Sequence, residues 1–367
     1  MSRAGARVFV LARLIRQLLD PRAWRRRKAA APKRILVLHH LLLGDTLMLT
    51  PLLAKLAARY PEAERFLSCP AAIAPLYASR PFGFTALPWQ PRRGDIDQLR
   101  AHSPFDLVII PAENRYSLIG RALGRWVTGF ADDTPAWKNW LLDEAHAFPQ
   151  TPAAFGDFCA SLVDGTSPPA YRPADWPMPQ ATPFERPAGP YAVLHPGAST
   201  PLKHWPAERW AALADWLAAR GITPVWSAGA KEGDLIKAAD PAGRYPDYAG
   251  KLDLPQLAQL FAGARLIVCP DTGVAHLARL VGTPTLALFG PGSSLISGAG
   301  EYWCDSPFKA LSIDIACRNQ TNTFRRHRNW IQRCSRGYGS AANQCSEARC
   351  MQGITLETVQ AACVQWL

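Results

Sequence analysis

The chain has 367 residues, a formal net charge of +12, 48% apolar residues and 19% charged ones. At ~150 residues per domain it is too long for one ordinary core and fits two, and its apolar content excludes a wholly disordered chain. No uninterrupted apolar run approaches the ~18–20 residues of a spanning helix, which excludes an integral multi-span protein.

The charge is localised. Residues 1–34 carry eleven Lys or Arg and one acid, and residues 318–349 carry seven Arg and one acid, so the rest of the chain is slightly acidic. That pattern argues against a nucleic-acid groove and for local contact with an anionic surface. In the basic leader, residues 1–33, the apolar residues Val8, Leu11, Leu14, Ile15, Leu18 and Leu19 recur at helical spacing among Arg7, Arg13 and Arg16. Trp24 and the run Arg25, Arg26, Arg27, Lys28 follow. The arginines and the lack of a small-residue cleavage site disfavour a secretory signal. An amphipathic basic helix with a Trp and a cationic cluster suits an anionic leaflet, slightly ahead of a leader that simply packs on the body.

The segment 34–165 reads as a first alternation of strands and helices. Residues 34–39 form a buried strand, a loop through Gly44-Asp45 follows, and a helix is predicted over 47–60 up to Pro61. Residues 66–68 and 105–110 read as strands, and 131–160 as helix or loop. A proline-rich linker spans 166–190. The segment 191–316 repeats the alternation: strands at 191–195, 223–227, 266–269 and 285–289, helices at 207–220, 254–262 and 274–280. Residues 317–367 form an Arg- and Cys-bearing tail with a terminal helix. The class is α/β, two doubly wound halves expected to face each other across a cleft.

Nine cysteines are present, an odd number with no signal peptide, which points to a reducing compartment. Cys317, Cys334, Cys345 and Cys350 cluster without the paired spacing of common zinc sites. Plain thiols are favoured over a metal, with a local disulfide as the third option.

Three loops of the second half follow strands. Asp271-Thr272-Gly273 precedes the helix carrying His276, and a helix N-terminus with a glycine is suited to phosphate. The alternative is a helix capped by Asp271 or Thr272. The loop after His195 offers Ser199, Thr200 and Lys203 to a diphosphate, or else an N-cap with an exposed lysine. Glu232 suits sugar hydroxyls, although a lone Glu is more often solvated. Converging at the strand ends of one half, the three loops suggest a nucleotide diphosphate site. In the first half, Asp45 is either a general base for an acceptor hydroxyl or the cap of its helix, and spacing alone favours the cap.

The ordered motifs Leu-Gly-Asp-x4-Thr-Pro (43–51), His-Pro-Gly-Ala-Ser (195–199), Lys-x-Trp-Pro-x-Glu-x-Trp (203–210), Asp-x-Gly-x-x-His (271–276) and Phe-Gly-Pro (289–291) resemble glycosyltransferase family 9. The resemblance runs from about residue 34 to 300. It implies a GT-B fold of two Rossmann-like domains and inverting transfer of heptose from ADP-heptose to the lipopolysaccharide inner core, without a metal or other cofactor. By this resemblance Asp45 matches the catalytic base. Ser199, Thr200, Lys203, Glu232, Asp271, Thr272, Gly273 and His276 are the donor-binding candidates. The implied partners are the nucleotide-sugar donor, a lipid-linked glycan acceptor and an anionic membrane surface, at the cytoplasmic side of a bacterial inner membrane; nucleic acid is not among them. Gly292-Ser293-Ser294 stands where the family usually has Thr-Asp-Pro. The alternatives are another nucleotide sugar on the same fold, a sugar-nucleotide epimerase, or a non-catalytic glycolipid-binding protein.

Overall fold

The computed structural model describes residues 3–21, 26–94 and 96–367. Trp24 and Arg25, part of the expected membrane cluster, lie outside the described residues. The chain divides into two compact units: residues 1–169 with 322–328, and residues 170–321 with 329–367.

The first unit opens with helix α1 (Arg3–Leu19) and strand β1 (Arg34–Val37), followed by α2 (Leu43–Leu47), α3 (Thr50–Arg59), β2 (Glu64–Cys69) and β3 (Phe84–Pro88). Then come α4 (Asp97–Ala101), β4 (Leu107–Ile110), α5 (Ser117–Leu123), β5 (Val127–Phe130), β6 (Glu144–His146) and α6 (Phe155–Ala160). The strands form one parallel sheet in the order β3-β2-β1-β4-β5-β6. Strand order reverses between β1 and β4, so the loops leaving their carboxyl ends open a crevice, the usual ligand position in such sheets. β1 after Arg34 and the whole of β4 are apolar and buried, as the central strands of a parallel sheet are.

Two expectations need correction here. The helix expected over 47–60 is two helices, broken at Met48-Leu49, with Pro51 in the first turn of α3. Proline lacks the N–H that a continuous helix would need there, so the chain restarts instead. The segment 131–160 also contains the edge strand β6, too short and polar to show periodicity.

In the second unit β7 (Tyr191–Leu194), α7 (Ala207–Ala218), β8 (Thr223–Trp226), α8 (Gly233–Ala239) and α9 (Leu254–Ala262) come first. β9 (Leu266–Pro270), α10 (Gly273–Leu280), β10 (Thr285–Phe289) and β11 (Phe308–Ser312) complete the sheet, which runs β11-β10-β9-β7-β8, all parallel. Its reversal lies between β7 and β9. The stretch from Ala170 to Gly189 is laid along this unit: Tyr171 hydrogen-bonds the Leu280 carbonyl at 2.6 Å, and Gln256 and Gln259 hold the Thr182 and Pro179 carbonyls. The tail supplies β12 (Asn322–Thr323), β13 (Arg326–His327), β14 (Gly337–Tyr338), β15 (Gln344–Cys345), α11 (Arg349–Gln352) and α12 (Leu356–Cys363). Met351, Ile354, Val359 and Cys363 enter the core beside Trp205, Trp210 and Trp226, and the Trp205 indole N–H reaches the Ile354 carbonyl at 2.7 Å.

The hairpin β12–β13 is the one tail piece that belongs with the first unit. Its two turn residues, Phe324 and Arg325, both have left-handed φ (45° and 60°), the geometry of a two-residue hairpin that non-glycine residues adopt at a cost. Phe324 stacks on Phe155 with centroids 4.9 Å apart. Arg326 is 1% exposed and donates to the carbonyls of Phe130, Ala131, Ala112 and Phe324, with its guanidinium over Phe148. Several other tail arginines also have partners in the protein. Arg325 pairs with Glu113, Arg328 with Asp132 and Arg349 with Glu347, while Arg318 holds three backbone carbonyls.

Candidate functional site

At the end of β7 the chain buries His195, whose Nδ1 lies 3.0 Å from the Ser227 hydroxyl. Burial pushes its pKa down to about 4, so the imidazole is neutral. The next loop passes Gly197, where a β-carbon would overlap the Glu232 carboxylate. Glu232 in turn accepts the Gly229 N–H at 2.8 Å. Glu232 is therefore a bracket between two strand-end loops, not the solvated residue its isolation in the sequence suggests. Ser199 is exposed at the loop tip, and Thr200 accepts the Leu202 N–H at 3.4 Å to start a short turn.

That turn delivers Lys203 to the end of β9. Its ammonium donates to the Asp271 carbonyl at 2.6 Å and to the Asp271 carboxylate at 3.0 Å. Lys203 is thus in a partly buried ion pair and not the exposed lysine of the alternative reading. The pair explains Gly292: any β-carbon there would collide with the Asp271 carboxylate. This accounts for the glycine at 292, the first position of the departure from Thr-Asp-Pro.

Helix α10 begins directly after. Thr272 is its N-cap residue, but its side chain makes no cap bond, and Asp271 is engaged by Lys203. The capped-helix reading therefore fails, and the first-turn amides have no side-chain acceptor. Thr272 and Gly273 are half-exposed, so those amides are reachable by an anion. His276, one turn in, is buried with its Nδ1 2.9 Å from an Arg279 nitrogen. Arginine only donates, so Nδ1 accepts and the ring proton sits on Nε2. Burial, then the charges of Arg279 and Lys203, hold this imidazole neutral by pushing its pKa well below the ordinary value. The arrangement is one partly buried lysine, one uncapped helix N-terminus and one neutral histidine, at the strand-order reversal of the sheet. Chemically it suits a diphosphate leaving group: positive charge and N–H donors in place before negative charge develops.

Asp45 sits elsewhere than expected. It lies in the first turn of α2, half-buried, while Leu42 occupies the N-cap position and makes no side-chain cap bond. It is not the cap of the helix, which removes the reading that spacing favoured. Its negative charge, behind burial, helps push the Cys159 thiol well above the usual range. Near the same sheet end a cavity of about 80 Å³ is lined by His39, His40, Glu113, Arg115, Tyr116 and Phe324 among others. Burial, then His40, lowers the His39 pKa to about 3. Burial opposes ionisation of Glu113, but Arg115 and Arg325 outweigh it and hold its carboxyl below the usual range. Sequence reading missed these residues: Glu113 and Arg115 follow β4 at the sheet reversal, a position only strand order reveals.

Two parallel sheets with such strand-end loops are those of the Rossmann-like, GT-B fold. Residues 163–302 match the model of Glycosyltransferase family 9 (heptosyltransferase). Lipopolysaccharide heptosyltransferase 1 of Pseudomonas aeruginosa is 38% identical over 118 residues, 31% of this chain and 32% of that protein. The match to that relative thus spans about a third of its length. Lipopolysaccharide heptosyltransferase 3 of Escherichia coli is 25% identical over 279 residues, 67% of this chain and 80% of that protein. The solved structure of E. coli heptosyltransferase WaaC with ADP-2-deoxy-2-fluoro heptose has a TM-score of 0.65 at 18% identity, covering 90% of this chain and 99% of that one, and shares the fold.

Proposed function

We propose that the chain is an inverting glycosyltransferase that moves heptose from ADP-heptose to the lipopolysaccharide inner core. The observation that carries this reading is Lys203, held by Asp271 beside the uncapped start of α10 at the strand-order reversal. The Thr272 and Gly273 amides and Lys203 take the donor phosphates, with Ser199 and Thr200 at the rim and Glu232 bracing the adjoining loops. His276 stays neutral and offers Nε2–H. Asp45 removes the proton of the acceptor hydroxyl as its oxygen attacks the anomeric carbon from the face opposite ADP, which inverts the configuration. No metal is needed for this chemistry, because the lysine and the helix N-terminus supply the positive charge.

A thermal-shift panel with ADP, UDP, GDP, CDP and dTDP, each with EDTA, tests the donor. At ~100 times its dissociation constant a nucleotide adds roughly 2.7 kcal/mol. A shift with ADP is the expected result. A shift with another nucleotide instead moves the donor to a different sugar, and none at all leaves the glycolipid-binding alternative.

The site of action is proposed at an anionic membrane surface, on the cytoplasmic side of the inner membrane. Among the described residues no helix is long and apolar enough to cross a membrane. α1 has two faces. Ala6, Phe9 and Val10 join the core of the first unit, and Gln17 donates to the Arg121 carbonyl at 3.0 Å. On the other face Val8, Leu11, Ile15, Leu18 and Leu19 are 47–77% exposed, with Arg7 and Arg16 also exposed. The packed reading of the leader accounts for the first face, and the proposed docking uses the second. The cationic run contributes less than expected: Arg26 pairs with Asp143, and Lys28 with Glu144 and Asp164. The apolar stripe carries the docking. Replacing Leu11 and Leu18 together by Glu should lower binding to anionic liposomes at least tenfold, with the fold kept because both side chains face solvent. Equal sedimentation of variant and parent would remove this reading.

A further inference from the structure

The hairpin β12–β13 belongs to the first unit, although the chain on both sides of it belongs to the second. Its tip reaches the sheet end where β1 and β4 stop. Phe324 lines the cavity of about 80 Å³ there, together with His39, Glu113 and Arg115. The next residue, Arg325, donates to the Glu113 carboxylate at 3.3 Å, and its carbonyl accepts the Thr134 hydroxyl at 3.3 Å.

This tip is costly to build. Phe324 and Arg325 both hold left-handed φ, where Asn-Gly is the usual pair of a two-residue hairpin. Chain reversal by itself needs neither a ring nor a guanidinium, and Arg326 already anchors the hairpin through four carbonyls. Phe155 holds the Phe324 ring in place by stacking, and the side chain remains half-exposed.

Two further observations point to a ligand at this tip. The first is an unpartnered donor. His39 is 2% exposed, and its Nδ1 accepts the Leu41 N–H at 3.2 Å, so the ring proton sits on Nε2. Nε2 has no hydrogen-bond partner, which is rare for a buried polar atom. The second is the position of Asp45. Its charge acts on the Cys159 thiol, and that thiol donates to the carbonyl of Pro111, itself a lining residue of the same cavity. Phe155 and Cys159 are one turn apart on α6, so the hairpin tip and Asp45 meet the same short helix.

We propose that the tail hairpin forms one wall of the acceptor site, with Phe324 packing against the acceptor sugar and Arg325 positioning Glu113 to accept its hydroxyls. The cavity is smaller than a whole sugar ring and admits one edge of it. The C–H face of that edge meets the Phe324 ring, and its hydroxyls meet the Glu113 carboxylate, the Arg115 guanidinium and the His39 Nε2–H. Arg115 and Arg325 hold Glu113 ionised, the form that only accepts hydrogen bonds. Phe324 is thus a specificity-determining residue and Arg325 a positioning residue. The inference rests on the reading of Asp45 as the base for an acceptor hydroxyl.

Steady-state transfer from ADP-heptose to heptose-deficient lipopolysaccharide is the test, with the melting temperature measured beside it. Phe324→Asn combined with Arg325→Gly keeps the turn, because both new residues tolerate left-handed φ, and removes the wall. The double variant should raise the KM for the acceptor about tenfold or more, with kcat within about threefold and the KM for ADP-heptose within about twofold. Phe324→Tyr keeps the ring and should hold the acceptor KM within about threefold of the parent. A merely structural hairpin would lower the melting temperature and kcat and leave the acceptor KM in place. An acceptor KM unmoved in the double variant, or Phe324→Tyr as damaging as the double variant, would overturn the proposal. If Asp45→Asn loses turnover while the hairpin variants keep the acceptor KM, the hairpin inference falls alone. A parent protein inactive on this acceptor would remove the proposed function and this inference with it.

Discussion

Asp45→Asn is expected to lower glycosyl transfer by about 10²–10⁴-fold, the range for losing a positioned general base. Asn keeps the size of the side chain and loses only its basicity. Two features make this a sharp test. Asp45 is not the N-cap of α2, so the substitution does not remove a helix cap. The proposed nucleotide-binding loops belong to the second unit, so ADP binding should stay within a factor of two. Thermal stability measured beside turnover separates chemistry from folding. Unchanged turnover would exclude Asp45 as the base, and lost ADP binding would place it in the donor site instead.

Arg326→Ala should destabilise the first unit by about 3 kcal/mol or more, because it removes charged hydrogen bonds and leaves buried carbonyls unpaired. For a unit of this size that lowers the melting temperature by roughly 6–12 °C in differential scanning calorimetry. Its neighbour provides the contrast. Arg325 is half-exposed and paired with Glu113, an arrangement worth about 0–1 kcal/mol, so Arg325→Ala should barely move the transition. Arg326→Lys should fall between them, since an ammonium keeps the charge but lacks the planar fork that spans several carbonyls. A melting temperature unchanged in Arg326→Ala would mean that the hairpin β12–β13 is held by Phe324 alone.

The second half was more legible than the first. Helix α9 and strand β10 run over the residues that the pattern marks, because an Asp253–Gln256 capping box with Pro255 and a β-branched start followed by an apolar run are strong local signals. Short elements escaped: β6 and α4 are three and five residues long, and such lengths carry no period. The capping role was misread at Asp45. A cap depends on where the first turn falls, and the actual start of α2 preceded the expected one.

The chain's own pattern determined the α/β class, the parallel strands, the two-fold alternation and the strand-end position of Lys203, Asp271 and Gly273. All of these rest on local periodicity and on the chemistry of a glycine-bearing turn before a helix. Tertiary structure alone decided partnership. It joined Lys203 to Asp271 across 68 residues, wedged Glu232 against Gly197, and buried Arg326 beneath carbonyls nearly 200 residues away. It also gathered four distant cysteines around one pocket. Charge makes the difference physical: an arginine or lysine looks the same in sequence whether it faces solvent or a carboxylate, and only long-range packing settles which.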